Sequence, residues 1–321
     1  MSASLSLWVG FTVIVLTILI LDLGVFHRHA REVTRKEAGL WCLLWVSLAL
    51  LFDGWIYYSY GPEPALEFLA GYLIEESLSV DNIFVFLLIF SYFSVPRIYQ
   101  HRVLFWGIIG VLVMRGIFIA VGATLLHHFH WVMYIFGAFL IFTGIKMFLS
   151  EDSETDPSNN PAVKLLRRFM PVTDTYEGQN FFVRKNGKRF ATPLFVVLIT
   201  VETMDIIFAV DSIPAVFAVT KDPFIVYTSN VFAVLGLRAL YFLIAGVLDL
   251  FVYLRYGLGV VLSFVGVKMV LTDVYKIEIG LSLAVIAIVL TITIVASLLF
   301  PPKKTGSNGS ASRGEDVSEA G

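Results

Sequence analysis

Charge is scarce in this chain. Asp, Glu, Lys and Arg make up 15% of its 321 residues, against roughly 25% in soluble domains. The formal net charge is −2, so the basic footprint of a nucleic-acid-binding protein is missing. There is one cysteine, Cys42, which excludes an internal disulfide and a CxxC redox or zinc site; in its apolar run it reads as a small packing residue. Neither GxxxxGK[ST] nor HExxH occurs, so nucleotide hydrolysis and zinc-protease chemistry have no motif to stand on. An enzyme is not expected, and no bound cofactor is implied. The first apolar run is long and has no basic segment before it, so it reads as a retained helix rather than a cleaved leader.

What the chain has in abundance is apolar surface. Hydrophobic residues make up 58% of it, and the mean hydropathy is +0.82. Runs of about 20 apolar residues are the mark of helices that use lipid as solvent. Nine spans are predicted, at 5–26, 39–60, 66–93, 102–126, 131–149, 192–219, 224–248, 256–273 and 279–300. The third and sixth are long enough to tilt or break. The fold expected is therefore an all-α polytopic membrane protein. Between spans, Lys and Arg fall unevenly. Seventeen lie in the loop after span one (Arg28, Arg31, Arg35, Lys36), the loop after span three (Arg97, Arg102), the long 150–191 loop, the loop after span seven (Arg255) and the tail. The alternate loops hold two, Lys221 and Lys276. The positive-inside rule then puts the N-terminus outside and the C-terminus in the cytoplasm. The 150–191 loop includes Asn186-Gly187, a type I′ hairpin signal, and the Gly/Ser-rich tail 301–321 is expected to be disordered.

The chain also resembles itself. Tyr134–Leu149 (YIFGAFLIFTGIKMFL) aligns without a gap on Tyr256–Leu271 (YGLGVVLSFVGVKMVL), matching Gly137 to Gly259, Gly144 to Gly266 and Lys146 to Lys268. One span earlier, VLVMRG around Arg115 matches VLGLRA around Arg238; one earlier again, SVDNIFVF around Asp81 matches AVDSIPAVF around Asp211. Spans three to five thus read as repeated in spans six to eight. An odd number of spans per copy and a shared cytoplasmic loop make the copies inverted, an architecture recurrent among transporters. The expected organisation is two N-terminal helices (1–65), a first repeat (66–149), a cytoplasmic loop (150–191), an inverted second repeat (192–273), a last helix (274–300) and the tail.

Span three carries Glu75, Glu76 and Asp81, and span six carries Glu202, Asp205 and Asp211. A carboxylate at mid-bilayer costs about 2.5–3.5 kcal/mol even on the lenient insertion scale. Arg115 and Arg238 are the deep basic partners available; Lys146 and Lys268 lie near span ends and are expected to snorkel. Structural pairing is one reading of these acids. The other is a cation or proton site, because six acids outnumber two arginines and the excess requires neutralisation. Glu75, Ser79 and Asn82 share a helical face, as do Glu202, Asp205 and Ser212. Pro214 is expected to kink or unwind span six beside Asp211. An all-oxygen donor set suits hard divalent ions. His127, His128 and His130 read as a solvated outer-loop cluster.

The segments GYLIEESLSVDNIFVF, FFVRKNGKRFATPL, VETMDIIFAVDSIPAVFAVT and SNVFAVLGLRALYF resemble the TerC family of integral membrane proteins, and within it the alkaline-induced, manganese-exporting branch. The resemblance runs from about residue 5 to 300. It implies about nine helices, kinship with LysE-type exporters, a bacterial inner-membrane location, a link to tellurium resistance, and export of Mn²⁺ as substrate. Export against the membrane potential needs an energy source, and with no nucleotide-binding motif the expected coupling ion is the proton, taken up by carboxylates that release the metal. The resemblance places the metal-binding acids and their neighbours at Glu75, Asp81, Asn82, Glu202, Asp205, Asp211 and Ser212; Arg115 and Arg238 remain the charge partners read from the spans themselves. A rival expectation is a membrane scaffold or assembly partner, which supplies metal to exported proteins or works beside the secretion machinery. Its function would reside in the 150–190 loop.

Overall fold

The computed structural model describes residues 4–21, 34–129, 131–149, 161–185, 187–244, 253–275 and 277–299. The expectations for Arg28 and Arg31, His130, Asn186, Lys276 and the tail lie outside these residues. The described elements are α1 (Leu5–Leu21), α2 (Arg35–Tyr60), α3 (Pro62–Tyr92), α4 (Arg97–His128), α5 (Val132–Leu149), α6 (Pro161–Phe169), β1 (Phe182–Lys185), β2 (Lys188–Ala191), α7 (Pro193–Phe217), α8 (Pro223–Ile244), α9 (Leu254–Val270) and α10 (Ile279–Leu299). Every predicted span corresponds to one helix; among the described residues the only further helix is the short α6. Among the described residues six helices are long and apolar enough by themselves to cross a membrane (α2, α4, α5, α7, α8 and α10), and α1 and α9 are apolar but shorter. The chain is a multi-pass integral membrane protein. Leu40, Leu43 and Leu51 on α2 and Ile288 and Ile292 on α10 point outward, an arrangement that water would penalise and lipid does not.

Local chemistry sets the helix ends. Thr34 caps α2 by accepting the Glu37 N–H at 3.3 Å. Gly61, at φ 93°, both ends α2 and starts α3, and Pro62 follows as the first residue of α3. A single residue can reverse the chain here because glycine adopts this backbone without steric cost and proline needs no N–H partner. Within the helices, the hydroxyls of Thr200, Thr203 and Thr228 donate to carbonyls one turn back, which satisfies them without water.

α3 and α7 run uninterrupted for 31 and 25 residues. The expected break in α7 is absent. Pro214 falls in the last turn, where only the Val210 carbonyl loses its helical donor, and the helix continues to Phe217. α3 and α4 each extend beyond the predicted span. Thirty-one residues reach about 46 Å, more than a hydrocarbon core of about 30 Å, so their polar ends stand clear of it.

α8 is the most deeply enclosed of the long helices. It packs against α2, α3 and α4, while α7 packs against α3 and α4, and the largest helix–helix contact joins α5 to α9. In that contact a Cβ added to Gly137 would meet the Gly266 carbonyl at 3.0 Å, and one added to Gly144 would meet the Gly259 carbonyl at 2.7 Å. Because 137 pairs with 266 and 144 with 259, α5 and α9 are antiparallel.

The loop before α7 is folded. β1 and β2 form the antiparallel hairpin announced by Asn-Gly, with Gly187 at φ 78°. Lys164–Arg168 lies in α6, which packs against α7 and buries Val163.

Candidate functional site

Arg115 projects from α4 into the interior and is 1% exposed. Its Nε and Nη2 donate to the two carboxylate oxygens of Asp205 on α7, each at 3.3 Å. Its Nη1 donates to Glu75 Oε1 on α3 and to Asn230 Oδ1 on α8 at 2.8 Å. One guanidinium thus joins four helices. A fork of planar donors is suited to this, since it serves a carboxylate with two prongs and still has N–H groups for others. With both acids ionised the cluster carries a net −1, because Arg115 compensates only one of them.

Glu75 and Asp205 occupy equivalent positions in the two matched segments: each lies six residues before the aspartate of its motif, Asp81 or Asp211. Around them polar atoms are buried without a hydrogen-bond partner among the described residues. These are Glu75 Oε2, Ser79 Oγ, Ser212 Oγ and Asn230 Nδ2. Such atoms cost free energy unless something else satisfies them.

The other acids are not gathered into the same cluster. Glu202 lies against α4, where a Cβ on Gly110 would stand 2.3 Å from its Oε1. Glu76 turns away from Glu75 toward Gly236 of α8 and Trp45 of α2, and its Oε2 is buried without a partner among the described residues. Asp211 accepts from Thr143 Oγ1 of α5 at 3.3 Å. Asp81 lies in α3, but its side chain is outside the described residues. Among the described residues no three His, Cys, Asp or Glu side chains form a metal-sized group, and neither Glu76, Glu202 nor Asp211 makes a salt bridge.

Arg238, on α8, is buried and borders a small apolar cavity lined by Phe86, Val201 and Leu237. Lys268 departs from expectation. It does not snorkel outward; it is buried, with Nζ unpartnered among the described residues. Asn230 was not anticipated from the sequence. Its only signal is a polar run, Thr228-Ser229-Asn230, inside a largely apolar helix, with Asn230 eight residues before Arg238.

Residues 60–305 match the family described as "Integral membrane protein TerC family". Over 293 residues the chain is 54% identical to an uncharacterized membrane protein of Myxococcus xanthus, covering 91% of this chain and 92% of the relative. Over 298 residues it is 52% identical to the "Putative membrane-bound redox modulator Alx" of Escherichia coli (strain K12), covering 90% and 93%. It is 42% identical over 292 residues to an uncharacterized membrane protein of Rickettsia bellii, covering 91% and 97%. No solved structure matches. The family match spans most of the chain and the relatives span nearly all of it: this chain belongs to the TerC family of integral membrane proteins.

Proposed function

We propose that this protein is a secondary transporter that exports a divalent metal cation, with Mn²⁺ as the leading candidate, across the bacterial cytoplasmic membrane in exchange for protons. The observation that carries the reading is the imbalance around Arg115. One guanidinium faces two equivalent carboxylates, while Glu76, Glu202 and Asp211 lie on the same two helices without a salt bridge among the described residues. Inside a membrane such a surplus needs protons or a bound cation. Export of a divalent ion against an inside-negative potential costs about 4.6 kcal/mol per 100 mV, at about 2.3 per charge. Carboxylates that accept a proton on releasing the metal supply a route for coupling.

The antiparallel glycine contact between α5 and α9 supports an inverted-repeat arrangement. Gly137 and Gly144 align in sequence with Gly259 and Gly266, yet each touches the other's counterpart. A two-fold axis lying between inverted copies produces that exchange. The uneven distribution of Lys and Arg among the loops favours, by the positive-inside rule, an N-terminus outside and a C-terminus in the cytoplasm. The redox role in a relative's name has a narrower basis here. Thiol–disulfide exchange within one chain needs two cysteines, and Cys42 is alone.

The test is Mn²⁺ flux in proteoliposomes with and without a pH gradient. Flux that the gradient accelerates, and that Asp211→Asn abolishes while membrane insertion persists, is the expected result. Absence of flux, with phenotypes that follow deletions in the 150–190 loop instead, would favour a scaffold.

A further inference from the structure

α3 and α7 are held in a definite antiparallel register at one end. Thr220, just after α7, donates to Glu67 Oε2 at 2.6 Å, and a Cβ on Gly71 would lie 3.1 Å from Val216 Cγ1. Four residues forward along α3 are matched by four residues back along the other segment. Continuing this register brings Glu75 level with Ser212, and seven residues further brings Asn82 level with Asp205. Glu75 and Asn82 are the sequence counterparts of Asp205 and Ser212. All four are buried, and the guanidinium of Arg115 bridges the two acids.

We infer that Arg115 is a tethered counter-cation occupying the place of the transported ion, so that a divalent cation binds between Glu75 and Asp205 only as the guanidinium withdraws, with Ser212, level with Glu75, offering a further oxygen. This rests on the transport reading above. A guanidinium cannot shed its proton in a protein, so it supplies one compensating charge to these acids whenever no metal does. It also repels a second cation at the same oxygens, which makes the two occupants exclusive. The buried Glu75 Oε2 and Ser212 Oγ lack partners among the described residues while Arg115 holds the acids. They are the hard oxygen atoms a divalent ion takes and a guanidinium, engaged elsewhere, leaves bare. An ion of that kind, with carboxylates from two helices, gains from both at once.

The experiment is calorimetric titration of Mn²⁺ into the full chain in lipid nanodiscs, for the parent, Arg115→Gln and Arg115→Lys. Removing the competing charge is expected to tighten Mn²⁺ binding about tenfold or more in R115Q. R115K, which keeps the charge but loses the two-pronged hold on Asp205, is expected to lie between R115Q and the parent. Adding Ser212→Ala to R115Q should give back part of the gain. If R115Q yields too little protein, the readout becomes the melting temperature with and without Mn²⁺, and the ion should raise it more for R115Q than for the parent. Affinity or melting shift equal to or below the parent's would overturn the inference and make Arg115 a structural tie. Parent flux in proteoliposomes separates the two levels: flux with no gain in R115Q removes the tethered cation alone, whereas no parent flux removes the transport reading beneath it.

Discussion

Gly144 of α5 and Gly259 of α9 meet backbone to backbone: a Cβ on Gly144 would stand 2.7 Å from the Gly259 carbonyl oxygen and 2.3 Å from Ser263 Oγ. Side-chain atoms have no space at this seam, and small residues are how membrane helices approach so closely. Gly144→Val should therefore lower the thermal midpoint of the detergent-solubilised protein, by the equivalent of about 1–3 kcal/mol for overpacking. Gly10→Ala, where an added Cβ meets nothing within 4 Å, should leave it in place. Equal midpoints for the two variants would refute the close contact.

Neutralising both acids on Arg115 should be worse than neutralising Arg115. In Glu75→Gln with Asp205→Asn the guanidinium is left buried and charged, and loss of such a pair costs about 3–5 kcal/mol. In Arg115→Gln the carboxylates can take up protons and cut their penalty. The expected order of melting midpoints is parent, then R115Q, then the double variant, with the triple variant recovering part of the loss. The reverse order for R115Q and the double variant would contradict the burial of Arg115 described above.

The hairpin carries a built-in conflict. Arg184 lies opposite Arg189, and Lys185 opposite Lys188, and like charges across a strand pair destabilise it. Part of the strain is relieved at Lys185, whose Nζ donates to Glu177 at 2.7 Å and holds that carboxyl below its usual range. Arg189→Glu should increase amide hydrogen-exchange protection at Val183 and Phe190 by an amount corresponding to about 0.2–1 kcal/mol. High salt should shrink the gain.

Tyr176 donates its phenol proton to the Phe93 carbonyl at 2.6 Å, fastening the loop to the end of α3. Burial pushes this phenol up to about 12, above the ordinary value near 10. Because the folded state holds the proton more tightly, the contribution is complete below about pH 10 and fades as pH rises toward 12. Limited proteolysis within 170–181 should be unchanged between pH 7 and 9 and accelerate above 10. In Tyr176→Phe it should already be faster at pH 7, from loss of a hydrogen bond of about 1 kcal/mol.

The helices were legible because apolar runs of one length leave few alternatives in lipid, and the hairpin because Asn186-Gly187 names its turn. What could not be read was which acid meets which arginine. Glu75 and Glu76 are neighbours in sequence, yet one reaches Arg115 and the other faces Gly236; one residue turns a helix by about 100°, and only the packing of α4 and α8 decides between them. The proline in α7 misled for a related reason. Its cost depends on distance from the helix end, and Pro214 lies three residues before Phe217. Lys268 misled because proximity to a span end does not reveal whether another helix covers it.

The segment leading into α7 is fastened at several points. Besides Tyr176, the Thr192 hydroxyl donates to the Asn180 carbonyl at 2.6 Å, and the Arg102 guanidinium sits 5.2 Å from the centre of the Phe181 ring. This connection therefore acts as a rigid strut rather than a slack strap. A shift of α7 at its N-terminal end would carry the neighbouring ends of α3 and α4 with it.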